Sequence, residues 1–285
     1  KIGTLLDRGY PDYNYPFNMA TMADNAPSCN NYINAVKMAC RQSKSSMLRY
    51  SKQGRNDQIV QKYNPAKYPT AKVQNVAVNG EIWTGSGTTT KKTFPELSEI
   101  SYENSKNITS SDNCPPENIT SCVMKVSYGN FDFFAGGDLQ YNGRSSHAWK
   151  DAELPCAKAV GQVELLKANH HGVTNTNQVD ALKALNPQTI VVNSWVDCHP
   201  RTDILNSMET TLPACDMFIT NFWQGDRPSG VDDRVTAEEA ARVKGYDGHI
   251  VVRVTDGGNK YRVVTITDSD GAMTVKTISG PYTSR

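Results

Sequence analysis

The sequence predicts an α/β fold, and the evidence lies mainly in its second half. Between residues 163 and 221, three short apolar, β-branched segments alternate with two segments of helical periodicity. The segments at 163–168, 189–195 and 217–221 have the length and composition of strands, and strands that alternate with helices form neighbouring strands of one sheet. The chain has 285 residues, enough for a large domain with a substantial buried core. We therefore expect a helix-covered sheet.

Turn signals and periodicity indicate the remaining elements. Asn79-Gly80 interrupts an apolar run at 72–84 and predicts a hairpin, and a second hairpin is expected over 121–135. The tail from 249 to 278 has the pattern of further hairpins, whereas residues 1–28 have no clear period and predict a long surface loop. Helices are predicted over 27–53, 151–160, 177–185, 203–211 and 234–244, and a polar connecting stretch over 86–117.

Composition limits the classes of function. Lys and Arg number 30 and Asp and Glu 29, so the formal net charge of +1 gives no global attraction to nucleic acid or to an anionic membrane. No apolar run approaches the ~20 residues of a membrane-spanning helix. Seven cysteines without a C-x-x-C pair argue against a zinc ribbon, and a disulfide such as Cys198–Cys215 remains open. The cysteine number, the abundant Asn, Thr and Tyr, and a first residue other than Met favour an exported bacterial protein.

Candidate ligands follow three predicted strands at the points where the strands end. Asp138 follows the strand at 131–135, His170 and His171 follow the strand at 163–168, and His199 lies just beyond the next strand. Loops at the carboxyl ends of such strands converge on one edge of the sheet, where sites are built. A carboxylate and several imidazoles are suitable ligands for a divalent metal ion.

Four landmarks in order resemble the metallo-β-lactamase superfamily, in particular the ComEC-like branch typified by the soluble domain of competence proteins. They are Asn118-Ile-Thr-Ser121 before an apolar strand, Gly137-Asp138 after the next strand, Asn169-His170-His171-Gly172, and Cys198-His199-Pro200. The resemblance covers residues 118–225 best and the terminal hairpins at 249–278 loosely. Residues 1–117 would then be a loop-rich and helical insert region of a single domain spanning 1–285.

The resemblance implies an αββα sandwich with one or two zinc or manganese ions at an edge of its sheets. It implies that Asp138 and His170 bind metal, and that His171 and His199 contact substrate or act as acids. The shared chemistry is hydrolysis by a metal-bound hydroxide. From their positions beside these histidines, Lys167 and Arg201 are candidate contacts for a substrate phosphate, although a lysine or arginine at such a position more often reaches into solvent.

One feature of the superfamily is absent, because no histidine precedes His147 and the H-x-H-x-D-H motif is therefore missing. We expect the chain to lack the N-terminal portion of the sandwich, with this motif upstream of Lys1; the alternative is a metal-free relative. The predicted function is a metal-dependent hydrolase of phosphodiester bonds in a small molecule or polymer. The alternatives are a lactonase or β-lactamase, and a non-catalytic binding or scaffold protein with the same fold.

Overall fold

The computed structural model describes residues 4–16, 18–19, 26–42, 47–96, 99, 117–141, 147–224, 235–269 and 271–285. Within these residues the fold is mixed α/β, which confirms the predicted class. The strands are β1 Thr4–Asp7, β2 Met47–Tyr50, β3 Lys72–Val78, β4 Glu81–Trp83, β5 Thr90–Lys92, β6 Val123–Tyr128, β7 Phe131–Ala135, β8 Leu165–Lys167, β9 Thr189–Val192, β10 Asp216–Ile219, β11 Val243–Tyr246, β12 His249–Thr255, β13 Lys260–Ile266 and β14 Val275–Thr283. The helices are α1 Ala26–Gln42, α2 Glu153–Val160, α3 Val179–Leu185, α4 Thr202–Thr211 and α5 Ala237–Arg242.

A mixed sheet of nine strands forms the centre of the molecule, in the order β11-β10-β9-β8-β7-β6-β3-β4-β5. Strands β7 to β11 run parallel to one another, whereas β7, β6, β3, β4 and β5 are joined by antiparallel pairing. The predicted hairpins at 72–84 and 121–135 are therefore β3–β4 and β6–β7. The parallel strands β8, β9 and β10 are the three apolar segments that predicted the fold class.

The two faces of the nine-stranded sheet are covered by different layers. Successive side chains of a strand point to opposite faces. Leu166 of β8 and Met217 of β10 belong to the large apolar core shared with helices α2 to α4. Their neighbours Leu165 and Phe218 pack instead against Tyr261 and Val263 of the antiparallel sheet β12-β13-β14. The described layers are thus helices, the large sheet and the small sheet.

The N-terminal region differs from its prediction. Residues 4–7 form β1, which pairs in parallel with β2, and Asp7 is buried, so the prediction of a surface loop is wrong there. The prediction of a helix over 27–53 is also wrong at Met47–Tyr50, because these residues pair with β1 as a strand; residues 43–46 lie outside the described residues. Apolar residues that continue a helical pattern are also compatible with a strand, and here pairing with β1 decides between the two.

Smaller differences occur along the rest of the chain. The predicted helix at 234–244 ends at Arg242, where Val243–Tyr246 form β11 at the edge of the large sheet. The strand predicted to reach residue 195 ends at Val192. The polar stretch at 86–117 contains the short strand β5, and most of its remainder lies outside the described residues.

The structure also bears on the predictions about a disulfide and about membrane-spanning helices. Cys198 and Cys215 are free thiols, as are Cys29, Cys122 and Cys156, so the suggested disulfide between Cys198 and Cys215 is not formed. Cys114 and the side chain of Cys40 lie outside the described residues. In the described part of the chain, no helix combines the length and the apolar character needed to cross a membrane.

Candidate functional site

Two loops meet where the parallel strands β7 and β8 end. Ala135 and Lys167 are register partners at the carboxyl ends of these strands. The backbone N–H of His170 donates to the carbonyl of Gly137 over 3.3 Å, and Lys167 Nζ donates to the same carbonyl over 2.8 Å. These bonds fasten the Gly136-Gly137-Asp138 turn to the 3₁₀ turn Asn169–Gly172.

Five chemically active side chains gather at this junction. His171 Nε2 lies 3.9 Å from Asp138 Oδ1, and Lys167 Nζ lies 4.0 Å from the same oxygen. The rings of His170 and His171 meet edge to face, with centroids 5.8 Å apart. The His171 ring is also parallel to the ring of His199, again with a centroid separation of 5.8 Å. The Asp138 side chain is 42 % exposed, so the cluster is open to solvent.

The hydrogen bonds of the two adjacent histidines place the ring proton on different nitrogens. Nδ1 of His171 contacts the backbone carbonyl of Asn193. A carbonyl can only accept, so Nδ1 carries the proton and Nε2 is left unprotonated beside Asp138 in the neutral ring. Nδ1 of His170 instead lies 3.2 Å from Nδ2 of Asn118, which donates, so in neutral His170 the ring proton is on Nε2. Of the two imidazoles, His171 is therefore the one that offers a lone pair toward Asp138.

The Asn118-x-x-Ser121 motif supports the site from the other side. Asn118 lies in the 3₁₀ turn Glu117–Thr120, which precedes β6. Ser121 Oγ accepts the backbone N–H of Asp138 over 3.2 Å and donates to the carbonyl of Asn118 over 2.8 Å. This motif, which contributed to the family resemblance, thus connects Asp138 and His170 through one short turn.

Burial disfavours the charged forms of His170 and Lys167. Burial lowers the pKa of His170, and the positive charges of His171 and Lys167 act in the same direction, while Asp138 opposes them. Burial also lowers the pKa of Lys167, again against the effect of Asp138. An imidazole with a lowered pKa is neutral at physiological pH, which is the form that binds metals.

The candidate substrate contacts already have protein partners. Lys167 Nζ donates to the carbonyls of Gly137 and Ala168 and faces Asp138, which occupies its three donor directions. Arg201 Nε contacts Asp203 over 3.3 Å, and the backbone N–H of Arg201 donates to the carbonyl of Gly172. That backbone bond joins the loop carrying His199 to the end of the His170-His171 turn.

Two of the side chains gathered here, Asp138 and His171, have the chemistry of metal ligands. Two ligands of one zinc ion at ~2.1 Å each are separated by about 3–4 Å, and Asp138 Oδ1 and His171 Nε2 match that separation. In the parts of the chain that the structure describes, no group of three or more His, Cys, Asp or Glu side chains is arranged to hold a metal ion. The chemistry of these two donors fits a divalent cation, but their number falls short of the four ligands that zinc prefers.

A cavity of about 440 Å³ is lined in part by Glu117, the first residue of the 3₁₀ turn Glu117–Thr120. Its walls include Leu6, Tyr13, Tyr32 and Cys122. Its buried carboxylate, Asp7, accepts from the hydroxyls of Tyr13 and Tyr32 and from two backbone N–H groups. Because this polar group is already satisfied from within the protein, we place the candidate site at Asp138 and the histidines.

Sequence reasoning missed the buried polar groups that hold the histidine turn. Glu153 accepts hydrogen bonds from Asn169, Asn177 and Gln178, and Asn169 and Asn177 also bond to each other. In the sequence Glu153 has the pattern of an ordinary acidic residue in the first turn of a helix, so no signal indicated its role. No protein-family model matches the chain, and no curated protein matches it either.

Proposed function

We propose that this chain carries part of the site of a metal-dependent hydrolase that cleaves phosphodiester bonds. The observation that supports this proposal is the convergence of Asp138, His171 and His199 at the carboxyl edge of parallel strands, with His171 Nε2 3.9 Å from Asp138 Oδ1. The resemblance to the metallo-β-lactamase superfamily, with its αββα sandwich, adds to it. We also propose that the chain has this αββα sandwich and that the bound ion is zinc or manganese.

The ligands that this chain would contribute are Asp138 and one histidine of the His170-His171 turn. The hydrogen bonds favour His171, whose Nε2 is unprotonated, whereas the resemblance favours His170. A bound zinc or manganese ion would lower the pKa of water and neutralise charge on the phosphoryl oxygens. Since the described residues offer no third ligand, we expect this chain alone to bind the ion weakly and to be a poor enzyme.

The remaining side chains would bind and protonate the substrate. His199 stacks on His171 at the solvent-facing side of the cluster, where its ring could donate a proton to a leaving oxygen. Lys167 holds the two loops together through Gly137 and Ala168, so contact with a phosphate would require it to give up one of these bonds. Arg201 contacts Asp203 through Nε, so its terminal N–H groups would be the ones that contact a phosphate.

Cation binding is the first test of this proposal. Mn²⁺ added to the ¹⁵N-labelled chain should broaden the NMR signals of residues 137–138 and 167–171 before any others. We expect Asp138→Ala and His171→Ala to weaken the binding at least about tenfold. His170→Ala decides between the two histidines as ligands. His249→Ala is the matched control, since His249 lies at the start of β12 in the small sheet, and it should leave the binding unchanged.

Hydrolysis of bis(4-nitrophenyl) phosphate with excess Mn²⁺ is the second part of the same test. His199→Ala should lower turnover by about 10²–10⁴-fold and leave Mn²⁺ binding intact, because a positioned acid contributes about that factor. Loss of Mn²⁺ binding in His199→Ala would make His199 a ligand. Because saturating Mn²⁺ offsets the weak binding expected of this chain, Mn²⁺-saturated protein without any turnover would favour the non-catalytic alternative, and broadening elsewhere would refute the site.

A further inference from the structure

Glu153 is a buried carboxylate outside the candidate site, and its hydrogen bonds lead directly to that site. It stands at the start of α2 with 1 % of its surface exposed. Oε1 accepts from Asn169 Nδ2 over 2.7 Å and from the backbone N–H of Asn177 over 2.5 Å, and Oε2 accepts from the backbone N–H of Gln178 over 2.8 Å. Among the described residues, no basic side chain contributes to the pKa of Glu153, so these N–H groups take the place of an ion-pair partner there.

A buried carboxylate without a cation is costly, because leaving water penalises the charged form by several kcal/mol. The donors that compensate for this cost come from both ends of one loop. Asn169 immediately precedes His170, and Asn177 and Gln178 lead into α3. Glu153 therefore fastens the beginning and the end of the loop 169–178 onto α2.

Asn169 and Asn177 also bond directly to each other. The backbone N–H of Asn169 donates to Asn177 Oδ1 over 2.9 Å, and Asn177 Nδ2 donates to the carbonyl of Asn169 over 3.0 Å. Oδ1 of Asn169 is buried and has no hydrogen-bond partner. An asparagine that leaves its own oxygen unsatisfied must be oriented by its amide nitrogen, and that nitrogen bonds to Glu153.

The loop held in this way contains an unfavourable backbone. His170 and His171 have φ of 43° and 58°, in the left-handed region that non-glycine residues rarely occupy. Such residues are strained, and consecutive ones persist only where the surroundings impose them. With this backbone the two rings lie 5.8 Å apart by their centroids, and His171 Nε2 lies 3.9 Å from Asp138 Oδ1.

We propose that Glu153 is a positioning residue, which holds the Asn169–Gln178 loop so that His170 and His171 adopt the backbone required beside Asp138. The role of the histidines rests on the proposed function, but the positioning of their rings does not. Glu153 touches neither substrate nor cation and acts through Asn169 and Asn177.

The test compares Glu153→Gln with Glu164→Gln in the chain of 285 residues. Glu164 is a matched control: it is also buried and precedes β8, so it lies at the opposite end of the strand that leads to Asn169. Its carboxylate accepts from the backbone N–H groups of Asp132 and Arg285, far from the histidines. Glutamine keeps the shape of either side chain but replaces one acceptor oxygen with a donor.

The readout is the ring Cε1–H signals of the histidines in the metal-free, folded chain, assigned by the signal that each His→Ala variant loses. We expect Glu153→Gln to move the signals of His170 and His171 and to speed amide exchange at Asn177 and Gln178 about tenfold. Glu164→Gln should leave both readouts unchanged. Mn²⁺ affinity should also fall about 10–100-fold in Glu153→Gln alone, as expected for a partner that orients a ligand.

Each outcome decides the proposal. Unchanged histidine signals in a folded Glu153→Gln protein would overturn it. If Glu153→Gln does not fold, Asn169→Ala decides, because it removes the Nδ2 group that joins Glu153 to the residue before His170 and keeps Glu153 itself. Unmoved histidine signals in Asn169→Ala, or failure of both variants to fold while Glu164→Gln folds, would mean a general core role instead. Moved histidine signals without any Mn²⁺ binding would support positioning and refute the metal site.

Discussion

The left-handed backbone of His170 and His171 is the residue-scale feature on which the candidate site depends. The sequence revealed the two histidines, because their position after an apolar strand predicts a place at the sheet edge. It did not reveal their backbone, since left-handed residues are usually Gly or Asn. The hydrogen bonds that impose this backbone come from Glu153, 17 residues before His170, and a contact of that range leaves no local pattern in a sequence.

The burial of Glu153 predicts a distinctive pH dependence of stability. Burial raises the pKa of its carboxyl from 4.5 to about 7, against the effect of its hydrogen bonds to Asn169, Gln178 and Asn177. The folded protein then holds this proton more tightly than the unfolded chain does. Its contribution to stability is fully present below pH 4.5 and is lost as the pH rises through 7, by at most about 3 kcal/mol.

Glu153→Gln removes the titrating carboxyl group, so comparison with the unmodified chain isolates the contribution of Glu153 to the pH dependence. We expect the free energy of unfolding of the unmodified chain to fall relative to that of Glu153→Gln as the pH rises from 4.5 to 8, measured by urea denaturation at each pH. His170, with its lowered pKa, destabilises the fold as the pH falls through 6.5, so the comparison is made in a His170→Ala background, where this titration is absent from both proteins. A difference that does not change with pH would show that Glu153 stays ionised throughout.

At the scale of elements, the site arises because β7 and β8 are parallel and end side by side. Alternating strands and helices predicted this arrangement, and with it the proximity of the Asp138 loop and the histidine loop. The small strands β1, β2 and β11 were not predicted, because their residues form strands only through pairing with a distant partner. Stabilisation of such short segments is tertiary, and local propensity carries little information about it.

Gly136 allows the two loops to approach each other. A Cβ at this position would lie 2.0 Å from Asn169 Oδ1, within the polar cluster held by Glu153. Gly136→Ala should therefore displace Asn169 and destabilise the fold by about 1–3 kcal/mol, as overpacking of a buried site does. Thermal or urea denaturation measures this cost.

Gly271→Ala is the matched control, because a Cβ there meets no atom within 4 Å and the backbone does not require glycine. It should change the free energy of unfolding by less than about 0.5 kcal/mol. Equal effects of the two substitutions would contradict the close approach of the Asp138 and Asn169 loops.

At the scale of the whole molecule, the two ends of the parallel strands in the large sheet have different roles. The carboxyl ends of β7 and β8 carry the histidine cluster. The residues at the amino ends of β8, β9 and β10 hold the small sheet and the C-terminus: Tyr261 donates to the carbonyl of Glu164, Gln188 donates to that of Thr283, and Tyr282 donates to Asp216. Substitutions at this second end should therefore affect stability without altering the candidate site.

Val263 and Val251 test whether the small sheet is an integral layer of the fold. Val263 in β13 is fully buried against Phe131, Leu165 and Phe218, whereas Val251 in β12 is 42 % exposed. Val263→Ala removes two buried methyl groups and should lower the free energy of unfolding by about 2 kcal/mol, while Val251→Ala should change it by less than about 0.5 kcal/mol. Urea denaturation followed by far-UV circular dichroism measures both, and a single transition would indicate that the two sheets unfold together. If the two substitutions cost the same, or if Val263→Ala produces a separate early transition, the small sheet is not packed into the common core.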